Sequence, residues 1–183
     1  MSNFKKGAVQ LERNYNLWSF ILCLILLGLS IQALYASFHH TWQWAPDALT
    51  LWILAMGAFV IGIKGFGDKS NKRAKWRSWL TMLISVPLLI VFFLGVMVNT
   101  FTREHIETSY SPDAEIRIDF YTLNGGAATS ISVSGIVNGP LWFKKRIYFE
   151  DRMQTVNVEW ENDHAVTINR HTLNLEEGET FFD

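Results

Sequence analysis

The chain has 183 residues, 49% of them hydrophobic, and a formal net charge of −1. That is about one domain's worth of material, but it is divided. Residues 17–101 are mostly apolar, whereas 103–183 resemble a soluble domain with seven bases and fourteen acids. So acidic a C-terminal part argues against a nucleic-acid partner, and the single cysteine, Cys23, excludes an intramolecular disulfide.

Residues 1–16 are short, polar and basic, with Lys5, Lys6 and Arg13. Leu17–Phe38 then runs apolar with Gln32 as its one strongly polar side chain, long enough for a spanning helix. A cleavable signal peptide is the competing reading, with Ile31-Gln32-Ala33 as its cleavage site. The apolar run continues past that point, which favours the span. Cys23 lies near the start of the run, away from any lipobox-like setting, and reads as buried filler.

Residues 39–47 carry no Lys or Arg, as expected of an outer loop. Trp42 and Trp44 suit the headgroup level, and His39 with His40 could be a metal pair or a pH sensor, although adjacent histidines in a short wet loop are more often neither. A second span covers 48–66, with Lys64 reaching out to the surface. Within it Ala58 and Gly62 form a small-xxx-small pair that lets another helix approach closely, either in the same protomer or in a partner.

The loop 64–78 holds Lys64, Lys69, Lys72, Arg73, Lys75 and Arg77 against Asp68 alone. Basic loops of this length stay cytoplasmic, so the N-terminus is placed inside and everything after Phe101 outside. Trp76 and Trp79 mark the inner interface. The third span, 79–101, contains Pro87, with Ser85 placed to help satisfy the freed carbonyl. No span carries an ionisable group away from its ends, which argues against a proton or ion path.

Residues 102–110 read as a tether ending at the turn Ser111-Pro112-Asp113. Fully extended, such a tether reaches about 30 Å, which keeps the C-terminal domain near the headgroups. Beyond it the apolar period becomes two. Ile116, Ile118 and Phe120 alternate with polar residues, Asn124-Gly125-Gly126 makes a hairpin turn, and Ile131 and Val133 come next. Thr129, Ser130, Ser132 and Ser134 read as a solvated face. A third strand places Leu141, Phe143, Ile147 and Phe149 on one face. Val156, Val158 and Trp160 give a fourth, Val166 and Ile168 a fifth, Leu173 and Leu175 a sixth. The fold class is therefore three transmembrane α-helices followed by a small all-β domain, an antiparallel meander or sandwich over 111–183.

Chemistry is harder to find. Glu161, Asp163, His164 and His171 flank a hairpin and could hold a divalent metal, but a polar turn collects such residues anyway, with Asp163 bonding its own backbone. No nucleophilic triad, phosphate-cradling loop or HExxH is present. No catalytic, cofactor-binding or metal residue is assigned. Lys144, Lys145 and Arg146 form the one basic cluster of the outer domain. They either bind an anionic wall polymer or headgroup, or protect a sheet edge.

The motifs Ser111-Pro112-Asp113, Asn124-Gly125-Gly126-Ala127-Ala128-Thr129, Lys144-Lys145-Arg146-Ile147-Tyr148, Glu159-Trp160, Asn162-Asp163, Val166-Thr167-Ile168-Asn169 and Leu173 carry a resemblance over residues 111–182. In order and spacing this stretch resembles an uncharacterised family of membrane-anchored proteins from Gram-positive bacteria, a domain of unknown function. The family pattern has one anchoring segment against three here, and favours Gly where Arg170 stands. The resemblance implies a fold and a location at the cell membrane and brings no activity. The expectation is a non-enzymatic interaction or sensing module on the outer face, with the bilayer and another membrane protein or a membrane-surface ligand as partners. The alternative is an accessory subunit or regulator of a membrane transport or cell-envelope complex, with Ala58 and Gly62 as its contact face.

Overall fold

The computed structural model describes residues 2–67, 72–126 and 130–183, with side chains from residue 14 onward. Lys5, Lys6, Arg13, Asp68, Lys69 and the stretch Ala127-Ala128-Thr129 therefore lie outside the described side chains. The elements run α1 (Ser2–His39), α2 (Ala48–Gly65), α3 (Lys72–Thr102), then β1 (Arg103–Tyr110), β2 (Arg117–Asn124), β3 (Ile131–Asn138), β4 (Lys144–Glu150), β5 (Val158–Trp160), β6 (Ala165–Ile168), β7 (His171–Asn174) and β8 (Phe181–Phe182). They form two compact units. One comprises Met1–Ile31 and Pro46–Met97, the other Gln32–Ala45 and Val98–Asp183.

In the first unit all three helices are long and apolar enough to cross a membrane. The helical run of α1 begins well before Leu17, so the polar N-terminal stretch is helix too, although it lacks apolar periodicity. Asp47 caps α2, accepting from the Thr50 amide at 3.3 Å and the Thr50 hydroxyl at 2.7 Å. Small residues fill the seams: Ala55, Ala58, Gly62, Gly65, Ala74, Ser78, Thr81 and Ser85 are buried. The hydroxyls of Ser78 and Thr81 fold back onto the carbonyls of Ala74 and Arg77. Across the seams Asn16 Nδ2 donates to the Ala74 carbonyl at 3.1 Å, and the Cys23 thiol faces the Thr81 carbonyl at 3.8 Å. Large apolar side chains such as Leu83, Ile90, Val91 and Leu94 point outward. This is the reverse of a soluble bundle, whose small and polar groups face water. Near Pro87 the Ser85 hydroxyl reaches Met82, not the carbonyl of Leu83 that the proline frees.

In the second unit β1, β2, β3, β4 and β8 form one sheet in that order, antiparallel except for the parallel pair β4–β8. A second antiparallel sheet holds β5, β6 and β7. Ile118, Phe120, Val133, Ile147 and Tyr148 from the first meet Val166, Ile168 and Leu173 from the second in one core, so the domain is a two-sheet sandwich. Gly135 lies between Phe120 and Tyr148, where a Cβ would come within 2.9 Å of the Phe120 ring. Only glycine lets both aromatics close over that strand.

Four expectations need correction. The supposed tether is β1, paired to β2 along its length. Ser132 and Ser134 are buried, not a solvated face. Leu141 is 82% exposed at a positive φ, outside the third strand. Finally, a register shift in the β3–β4 ladder breaks the period of two, so Ile147 and its neighbour Tyr148 are both buried while Phe149 is half-buried on the other face.

Candidate functional site

The ladders fix which side chains share the face of the five-stranded sheet turned away from the core. Asp119 and Tyr121 of β2 lie there, opposite Phe120. Their partners on it are Arg103, His105 and Thr108 from β1, Ser134 and Ile136 from β3, Lys144 and Arg146 from β4. Arg103 and Arg146 are half-buried on this face, and Ser134 is 1% exposed with its hydroxyl unpartnered among the described residues.

Asp119 is the best-satisfied group of the face. It accepts from Thr108 Oγ1 at 2.7 Å, Arg117 Nε and Nη2 at 3.0 and 3.1 Å, and Asn138 Nδ2 at 2.7 Å. Burial pushes its carboxyl up, but those donors outweigh burial and hold it below the usual carboxylate range. His105 Nε2 stands 2.9 Å from Thr108 Oγ1. Thr108 gives its one proton to Asp119, so His105 must donate to it. Nucleophile activation needs the opposite order, with histidine accepting, and this His–Thr–Asp chain is a brace.

A second buried polar cluster ties the sheets together. The Tyr148 hydroxyl donates to Glu150 Oε2, and Asn169 Nδ2 reaches the same oxygen at 2.9 Å. Asn169 also accepts from the Asn157 amide at 2.9 Å. Burial, then the Glu150 contact, pushes the Tyr148 phenol well up. Asn169 takes the positive φ of the β6–β7 turn, whereas Arg170 does not, so the turn needs no glycine at 170.

The basic cluster divides. Lys144 and Arg146 share the outer face, while Lys145 points the other way and donates to the Gly178 carbonyl at 3.3 Å. The edge-protection reading also changes, because the far edge of β4 is covered by a backbone bridge from Gln43 at Lys144 and by β8 at Tyr148 and Phe149. The Gln43 segment is anchored further: Trp142 Nε1 donates to the Trp44 carbonyl at 2.7 Å, and His40 stacks on Phe182 at 3.7 Å. His39 packs on Tyr35 instead, so the two histidines part company.

Glu161 accepts from Thr167 at 2.9 Å, His171 stacks on Phe181, and Asn162, not Asp163, closes the turn by accepting the amides of His164 and Ala165. Among the described residues no three His, Cys, Asp or Glu side chains converge on a metal position. Ala58 is fully buried, and a Cβ on Gly62 would stand 3.2 Å from Thr81, so both are spent inside their own helical unit. A polar cavity of about 440 Å³ opens at the end of α3, lined by Thr102, Glu104, Thr122, Asn124 and Gln154 among others. Another, of about 370 Å³, is lined by Lys72, Lys75, Trp76 and Trp79 along one stripe of α3.

Residues 72–183, from the start of α3 to the last strand, match the model of a family of unknown function, DUF5412. The chain belongs to that family. The match takes in one apolar helix, α3, and the whole β sandwich, and leaves α1 and α2 outside it. No curated protein and no solved structure matches the chain. Arg103, which sequence reading missed, lies within the DUF5412 region. The signal that could have found it is that the nine residues after Phe101 are enough for an edge strand.

Proposed function

We propose that the chain is a multi-pass membrane protein whose β sandwich, on the extracytoplasmic side, is an interaction or sensing module and not an enzyme. The observation that carries this reading is continuity. α3 ends at Thr102 and β1 begins at Arg103 with no linker, and residues 32–45, between the first two spans, belong to the same compact unit as the sandwich. A sheet that follows an apolar helix with no intervening residue supports a role on ligands at the membrane surface. The inverted helices, apolar outside and small or polar inside, support insertion. Orientation rests on charge: Lys5, Lys6, Arg13 and the six bases of loop 64–78 stand against none in residues 39–47. The stripe of Lys72, Lys75, Trp76 and Trp79 suits the inner headgroup region.

The alternative, a subunit of a transport or envelope complex held through its spans, loses Ala58 and Gly62 as its contact face. Protease added to intact protoplasts should remove an epitope after Asp183 and spare one before Met1. The reverse pattern would refute the reading.

A further inference from the structure

We propose that the outer face of the five-stranded sheet carries an anion site, in which Arg103 and Arg146, with the Ser134 hydroxyl between them, hold a phosphate group. The inference deepens the membrane-module reading by giving its sandwich a ligand class, and depends on that reading only for the ligand's source.

The ladders put the two arginines on one face: Arg103 beside Leu123 on β1, Arg146 beside Ile136 on β4. Ser134 lies on β3 in the row between them, flanked by Tyr121 and Phe149. Both arginines are half-buried, yet neither has a carboxylate or a hydrogen-bond acceptor among the described residues, where Arg117–Asp119 is the one ion pair. Among the described residues two acids meet this face, and both are already engaged: Asp119 accepts from Thr108, Arg117 and Asn138, and Asp151 accepts from Ser130 and Ser132.

A guanidinium carries five donors, and withdrawing it from water without an acceptor is costly. Here two are withdrawn together. Burial depresses the Arg103 guanidinium and the positive charge of Arg146 adds to that, against a smaller opposing pull from the Tyr121 phenol. Strands β1 and β4 stand about 15 Å apart at normal spacing, and the ladders set Arg146, at Ile136, four residues further along β3 than Arg103, at Ser132, about 13 Å more, so the two side chains share one anion by reaching inward over β2 and β3. The face thus holds two guanidiniums without an acceptor and, in the row between them, a hydroxyl without a partner among the described residues. Two planar forks and a hydroxyl suit a tetrahedral oxyanion better than a carboxylate, which has only two oxygens to share among them. A phospholipid headgroup and free phosphate offer the same chemistry.

The test uses the full chain in maltoside micelles and phosphate-free buffer. Inorganic phosphate is titrated by calorimetry, and phosphatidylglycerol is compared with uncharged diacylglycerol by native mass spectrometry. Saturable binding of either phosphate compound, weakened on the order of tenfold or more by Arg103→Gln and by Arg146→Gln, and unchanged by Lys145→Gln on the opposite face, supports the site. Which compound binds identifies the source. Arg103→Gln should also melt at or above the wild type without ligand, because it relieves the repulsion, and should lose the rise in Tm that ligand gives the wild type. If the wild type binds neither compound, or both arginine variants bind as well as the wild type, the inference is overturned. An Arg103→Gln protein that melts lower and gains as much from ligand as the wild type marks that arginine as a brace and overturns it too. Binding that persists in a protein of reversed topology would sink the membrane-module reading alone.

Discussion

At the residue scale the sandwich depends on carboxylates held by many donors. Asp119 is 5% exposed and collects the donors of Thr108, Arg117 and Asn138, so charge-assisted bonds replace its lost hydration. Its folded pKa is lowered, burial being outweighed by those donors. A group depressed on folding stabilises above its unfolded pKa, about 3.9 for aspartate, and loses that contribution as pH falls through the folded value. Asp119→Asn turns an amide N–H₂ toward donors and should cost about 1–3 kcal/mol at neutral pH. Denaturant melts across pH should show the gap between wild type and variant fully open above pH ~4 and closing below it. A gap independent of pH would mean that shape, not charge, is what Asp119 supplies. None of this network was legible in sequence, where Asp119 is one more polar residue in an alternating strand. The bonds become visible only when β1 and β3 bring Thr108 and Asn138 alongside.

At the element scale, the strands with clean alternation were legible and those with bulges were not. Val166, Ile168 and Leu173 are in the core as period two requires. Residues 103–110, REHIETSY, hold one aliphatic side chain, Ile106, and the register shifts between His105 and Glu107. No apolar period survives there, so a strand looked like a tether. The β4 shift similarly moved Tyr148 inward. Fragments should behave accordingly. Residues 103–183 should fold to a β-type circular dichroism spectrum with a cooperative melt. Residues 111–183 lack β1, and with it the Ser109 hydroxyl that takes the Trp160 N–H at 2.8 Å. Their β2 becomes a bare edge, so that fragment should melt far lower or aggregate. Equal melting of the two fragments would show that β1 is an ornament on a sheet complete without it.

At the scale of the whole molecule, the three helices long and apolar enough to cross a membrane were legible at 17–38, 48–66 and 79–101, because about twenty apolar residues leave few alternatives. How the helices touch was not, since small residues are ambiguous between seams and plain filler. The glycines of α2 now separate the two cases. A Cβ on Gly65 would stand 2.5 Å from the amide nitrogen of Asn16 and 2.7 Å from its Cα. Both are backbone atoms, so no rotamer change can make room, and α1 and α2 would have to part. Gly57 on the same helix has nothing within 4 Å. Alanine is favoured over glycine in a helix by up to about 1 kcal/mol, whereas overpacking costs about 1–3 kcal/mol or more. The two effects therefore give opposite signs on one helix. Gly57→Ala should leave the melting temperature of the solubilised full-length protein unchanged or slightly raised, and Gly65→Ala should lower it clearly. Part of that loss should be recovered by Asn16→Gly only if side-chain crowding contributes, because the backbone contact remains. If Gly65→Ala melts like Gly57→Ala, α1 and α2 do not approach as closely as described. The small-residue face of α2 would then be free again for a partner helix.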